Sequence, residues 1–254
     1  MTDSKKIYLL ANWKMYLDLA ESVALATALR AQKLSPEIVM TVFPSALALS
    51  GVVNEFSDSD IAVGAQNTYF VDKGGLTGEI SAAMFAAAGC QYALVGHSER
   101  RHLFGESNHL ARQKIEAILA TNLVPVLCVG ETKEQRDSGE AAEVLEAQIR
   151  SAFTDLTCGQ GRQFIVAYEP VWAVGTGAAC DPFEAERMAG LIETWGRLLL
   201  GENSEVFVVY GGSVRPDNVA AYLKEPHVSG VLVGAASSRL DTWLEIVQSA
   251  LTSV

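Results

Sequence analysis

Residues 164–210 read FIVAYEPVWAVGTGAACDPFEAERMAGLIETWGRLLLGENSEVFVVY. The stretch opens and closes on apolar runs, 164–168 and 206–210. Neither run alternates polar with apolar residues, which is the pattern of strands buried on both faces, as in parallel sheets. Between them lies a helix with a clear start. Asp181 can cap it, Pro182 fits the first helical position, and Glu184 stands three residues after Asp181. Gly201 is the expected glycine at its C-terminal end.

The same alternation runs outward in both directions. Further strand runs are 7–11, 38–43, 61–65, 92–95, 124–129 and 230–233. Amphipathic stretches separate them. One is 19–32, and another is 108–121, with Ile115, Ile118 and Leu119 at helical spacing. Eight strand–helix units favour a closed parallel (β/α)8 barrel ringed by helices over a doubly wound sheet. The chain has 254 residues, close to the roughly 250 such a barrel typically takes. No linker, repeat or low-complexity tract divides it, so 1–254 reads as one domain.

Bulk properties narrow the partners. The formal net charge of -11 argues against nucleic acid. It would also repel an anionic substrate on average, so any anion site must be built locally from a lysine, backbone N–H groups and helix N-termini. Cys90, Cys128, Cys158 and Cys180 form no CxxC pair. They read as free thiols that pack, in a reducing compartment. No apolar run approaches the roughly 20 residues of a membrane helix. The polar start at 1–6 and the short run 7–11 do not make a signal peptide, so a cytoplasmic protein is expected.

Barrel sites form where strands end. Asn12 and Lys14 follow the first run, and Gly96-His97-Ser98-Glu99-Arg100-Arg101 the fourth. Gly130 and Glu131 follow the fifth, and Glu169 the sixth. Gly211-Gly212-Ser213 follows the seventh, and Gly234-Ala235 the eighth. A strand-end lysine is ordinarily a solvated charge, a lone histidine ordinarily structural, and glycines ordinarily turns. Glu169 is harder to dismiss, because an idle carboxylate buried after a strand would be costly. Competing motifs fail. Arg100 stands where a nucleophile elbow needs its closing glycine. Cys180 stands where a dinucleotide fingerprint opened by Gly175 needs one. Nothing implies a nucleotide, flavin or metal, so no cofactor is expected.

Six stretches together resemble one family. They are Asn12-Trp13-Lys14, Gly64-Ala65-Gln66-Asn67, VGHSERR at 95–101, Cys128-Val129-Gly130-Glu131, AYEPVWAVGTG at 167–177 and YGGSV at 210–214. In this order and over nearly the whole chain, they are similar to the triosephosphate isomerases. The resemblance implies a TIM barrel that interconverts dihydroxyacetone phosphate and D-glyceraldehyde 3-phosphate without a cofactor. It makes Glu169 the base, His97 the group that polarises the carbonyl and shuttles protons, Lys14 the positive charge that faces the anionic substrate, and Asn12 a residue that helps hold the oxygen. Donors aimed at an enediolate oxygen must be in place before charge develops there. A carboxylate base gains from exclusion of water, which calls for a lid. Residues 170–179 fit one, with Pro170, Val171 and Trp172 as hinge and Gly175-Thr176-Gly177 as tip. Backbone N–H groups of Gly175, Ser213, Gly234 and Ala235 are expected on the phosphate, with a short helix after strand eight pointing at it.

The resemblance further implies a homodimer, in which the loop from Gln66 to Glu79 carries Thr77 to the neighbouring site near Asn12 and Lys14. Glu99 and Arg100 would support those residues. Two departures from the family pattern stand out. Ala235 replaces a usual glycine, and Ala178-Ala179-Cys180 replaces the usual lid end. Two other readings stay open. One is a metal-dependent phosphosugar epimerase, disfavoured because His97, His102, His109 and His227 form no cluster with aspartates. The other is a phosphate-binding barrel without catalysis.

Overall fold

The computed structural model describes residues 6–159, 161–175, 177–201 and 203–252. Its eight strands are β1 (Ile7–Asn12), β2 (Ile38–Phe43), β3 (Ala62–Ala65), β4 (Tyr92–Val95), β5 (Val124–Val129), β6 (Gln163–Tyr168), β7 (Glu205–Tyr210) and β8 (Gly230–Val233). All pair in parallel and in chain order, and β1 pairs with β8 as well as β2. That last pairing closes the barrel and leaves no edge strand, which excludes the doubly wound alternative.

Ten helices stand among the described residues: α1 (Leu19–Arg30), α2 (Leu49–Glu55), α3 (Ala82–Ala87), α4 (Ser98–Phe104), α5 (Asn108–Leu119), α6 (Lys133–Asp137), α7 (Ala141–Phe153), α8 (Pro182–Leu200), α9 (Val219–Leu223) and α10 (Leu240–Leu251). Short 3₁₀ turns, Val171–Ala173 and Ala235–Ser238, follow β6 and β8. The Asp181 cap and Pro182 start are as expected, and Gly201 ends α8. Glu184 differs. It does not reach back to the cap but pairs with Arg187 and Arg136, because two guanidiniums are stronger partners for a carboxylate than one backbone N–H. Helices α1 and α5 stop at Arg30 and Leu119, short of the expected 32 and 121.

The core has two layers, and strand pleat sorts residues between them. One buried cluster draws only on strands: Tyr8 and Leu10 of β1, Leu94 of β4, Cys128 of β5, Ile165 and Ala167 of β6, and others. This is the barrel interior. Their neighbours Leu9, Ala11, Val166 and Tyr168 join a second cluster with Leu29, Ile115, Ile192 and Ile246 of the helices. Continuing each inner series by one more alternation, to the strand's end or just past it, predicts what lines the mouth. From Tyr8 and Leu10 the next is Asn12. From Ile165 and Ala167 it is Glu169, from Val209 it is Gly211, and from Leu232 it is Gly234.

Candidate active site

Those positions meet. One cleft at the mouth, of about 160 Å³, is lined by Asn12, Lys14, His97, Glu169, Gly175, Ser213, Gly234 and Ala235, all eight residues nominated from sequence. It is smaller than the roughly 300–1,000 Å³ of drug-sized pockets, so it suits a small molecule.

Glu169 is 1% exposed. Its backbone stays in the barrel ladder, since its N–H donates to the Val129 carbonyl at 2.7 Å. Its Oε2 accepts the Ser98 N–H at 2.8 Å, and its Oε1 lies 3.3 Å from His97 Nε2. Gly211 makes room for it. A β-carbon on Gly211 would stand 2.8 Å from Glu169 Cγ. Behind Glu169, complete burial and the nearby carboxylate push the Cys128 thiol well above its ordinary range, so it stays protonated.

His97 caps α4. Its Nδ1 accepts the Glu99 N–H at 3.3 Å, so the ring proton of that tautomer sits on Nε2, facing Glu169. The turn beneath is braced by Arg101, whose Nε donates to the Gly96 carbonyl at 2.7 Å and Nη1 to Asn108 Oδ1 at 2.6 Å. Burial lowers the Arg101 guanidinium, with Cys128 and the carboxylates of Glu106 and Glu169 pulling the other way.

Lys14 holds an unusual backbone, with φ at 48°. Three contacts fix it there. Its N–H donates to Asn12 Oδ1 at 3.1 Å, its carbonyl accepts Gln66 Nε2 at 2.7 Å, and its Nζ lies 2.6 Å from Glu99 Oε1. Strained backbone of this kind persists when its surroundings over-determine it, and it gathers at functional sites. Gly234 lets the stem pass, because a β-carbon there would stand 3.0 Å from Lys14 Cε.

The chain after β6 is anchored through Trp172. Trp172 Nε1 donates to Glu131 Oε1 at 2.8 Å, and Tyr168 Oη to the same atom at 3.2 Å. Arg136 lies over the Trp172 ring at 4.8 Å. At the far end the Cys180 N–H donates to Tyr210 Oη at 3.0 Å. Ser213 Oγ donates to the Ala173 carbonyl at 2.7 Å, which leaves the Ser213 N–H as the group it can offer an anion. Thr176, at the expected tip, lies outside the described residues.

Sequence reading missed three contributors. The Ser98 N–H is invisible to side-chain motifs. Tyr16 and Arg215 line the cleft from beyond the matching stretches. A buried pair also supports the site. Glu106 accepts the Gly96 N–H at 2.8 Å, Arg100 Nε at 2.7 Å and Lys114 Nζ at 2.6 Å, and Lys114 also donates to Asn67 Oδ1 at 2.7 Å.

A closed parallel barrel whose mouth holds a buried carboxylate beside an imidazole, with a lysine opposite, defines an acid–base enzyme for a small anionic molecule. Comparison with known proteins makes the class specific. The chain belongs to the triosephosphate isomerase family, whose model matches residues 7–250. It is 38% identical over 250 residues to the triosephosphate isomerase of Rhodopirellula baltica, covering 97% of this chain and 98% of that one. It is 42% identical over 243 residues to that of Roseiflexus sp. strain RS-1, covering 94% and 95%.

Proposed function

We propose that the cleft interconverts dihydroxyacetone phosphate and D-glyceraldehyde 3-phosphate, an aldose–ketose isomerisation, with Glu169 as the base. The observation that carries it is the 3.3 Å approach of Glu169 Oε1 to His97 Nε2 inside the cleft. Glu169 takes the proton from the carbon beside the carbonyl. The electron pair moves into an enediol, and negative charge develops on the carbonyl oxygen. His97 Nε2–H and Lys14 Nζ are the donors for that charge, with Asn12 beside them. His97 then carries protons between the two oxygens, and Glu169 returns its proton to the neighbouring carbon. This family is itself the standard example of a carboxylate base paired with a neutral histidine at a helix start. The N–H groups of Gly175, Ser213, Gly234 and Ala235 hold the phosphate, aided by the start of the 235–238 turn. Ala235 retains its N–H, so its methyl does not remove the contact.

The test is turnover of D-glyceraldehyde 3-phosphate in the presence of a chelator, beside Glu169→Gln. Folded wild-type protein without turnover would overturn the reading.

The same reading makes the protein a cytoplasmic homodimer. Support for the dimer comes from residues 71–79, all exposed, and from Met15 and Leu47, which are 95% and 90% exposed in the loops that follow β1 and β2. Apolar side chains so placed suit an interface, and Thr77 would then reach the partner's Lys14. Sedimentation paired with assays on dilution tests this, and a fully active monomer would overturn it. Four unpaired cysteines support the reducing compartment.

A further inference from the structure

Arg215 stands two residues after Ser213, on a backbone that cannot drift. Its N–H donates to Asn218 Oδ1 at 2.8 Å, and its carbonyl accepts the N–H groups of Asn218 and Val219 at 3.2 and 3.1 Å. Asn218 Nδ2 in turn donates to the Ser213 carbonyl at 3.0 Å, tying both residues to one turn. From this base the side chain reaches over the cleft. Nη1 donates to the Gly177 carbonyl at 3.3 Å, and Nε to Asp217 Oδ1 at 3.1 Å.

The charge balance of the cleft gives this placement its meaning. Among the described residues that line it, Lys14 and Arg215 are the cations, and Glu169 is the anion. Lys14 is already engaged at 2.6 Å by Glu99. The chain as a whole carries -11, which disfavours approach of an anion. Arg215 and Asp217 are 47% and 72% exposed. An exposed pair of that kind is held weakly, and a phosphate dianion is a stronger partner for a guanidinium.

We propose that Arg215 is a positioning residue for the phosphate end of the substrate. It draws the dianion toward the N–H groups of Ser213 and Gly234, and its contact with the Gly177 carbonyl keeps Gly177 beside them. It takes no part in proton transfer. The inference rests on the triose phosphate reading above.

The experiment compares wild type, Arg215→Gln and Arg215→Lys at about 0.02 M and about 0.3 M ionic strength, where screening lengths differ severalfold. KM for D-glyceraldehyde 3-phosphate and inhibition by inorganic phosphate are read together with kcat. At low salt, Arg215→Gln should raise KM and weaken phosphate inhibition by about three- to tenfold, with kcat reduced by no more than about twofold. The gap should narrow at high salt, and lysine should restore most of the loss. A glutamine variant with wild-type KM and phosphate inhibition at low salt overturns the proposal. So does a loss that is equal at both salts and not rescued by lysine. Wild type without turnover overturns the reading beneath it instead, and phosphate binding by calorimetry then still decides the role of Arg215.

Discussion

The Ser98 N–H holds Glu169 Oε2 at 2.8 Å, and Ser98 is the first residue of the helix that His97 caps. One helix start therefore fixes both the carboxylate and the imidazole. Glu169→Gln should lower kcat by about 10³-fold, within the range for loss of a general base. Glu169→Asp withdraws the carboxylate by one methylene and should cost about 10²-fold. Steady-state kinetics beside thermal melts check both, and a glutamine variant of near-normal kcat would remove Glu169 from the chemistry.

Gly211→Ala tests positioning without touching a reacting group. The new methyl would stand 2.8 Å from Glu169 Cγ, so the carboxylate has to move. A shift of about 1 Å at a reacting group costs on the order of 10² in rate, so kcat should fall by roughly that factor while the fold survives. Gly234→Ala meets the Lys14 stem at 3.0 Å instead, and its effect should appear mainly in KM. Equal, unchanged kinetics for both variants would show that neither side chain depends on its glycine.

Acid stability should depend on Glu106. Burial alone would raise this carboxyl, but hydrogen bonds from Lys114, Arg100 and the Gly96 N–H outweigh it and hold it below its ordinary 4.5. Burial also lowers Lys114, against the pull of Glu106. The carboxylate, with three donors on it, sets the behaviour at low pH. A carboxyl depressed in the fold contributes stability above about pH 4.5, which is lost as pH falls through its lower folded value. Lys114→Met leaves the charge short of a partner and should cost about 3 kcal/mol. It should also move acid unfolding to higher pH. Superimposable acid titrations by circular dichroism would contradict this.

Thiol labelling should separate Cys158 from the rest. Burial pushes Cys90 and Cys180 up to about 12 and Cys128 well above its usual value, and thiols so placed hold little of the reactive thiolate. Cys158 is half-buried beyond α7. At about pH 8 a thiol reagent should label about one group per chain quickly and the others only as the protein unfolds. Cys158→Ser should abolish the fast phase, and a fast phase that survives would point to opening around another cysteine.

The barrel was legible because its strands are buried on both faces and so read as unbroken apolar runs; β2, β4, β5 and β8 begin and end where those runs do. The other runs missed Asn12, Gln163 and Glu205, polar residues whose backbones join the ladder at strand ends, and started β3 at Ile61, one residue early. Helices of five to seven residues, such as α6 and α9, are too short to show a 3.6-residue period. The rim was legible for a different reason. Strand parity brings Asn12, Glu169 and Gly234 to one mouth whatever their separation in sequence. Glu106, Lys114 and Arg215 were not legible, because a charged residue in a helix or turn looks the same in sequence whether it faces solvent or a partner.

The Glu169 N–H belongs to the barrel's ladder through Val129, and one more bond, from the Val171 N–H to the Glu131 carbonyl at 3.0 Å, follows before the chain leaves for the 3₁₀ turn. The boundary between frame and cover thus falls within two residues of the reacting carboxylate. Motion of the segment beyond Val171 need not be transmitted to the base. Selection could therefore rewrite that segment, as at Ala178, Ala179 and Cys180, altering how quickly the cleft opens while leaving the proton-transfer geometry in place.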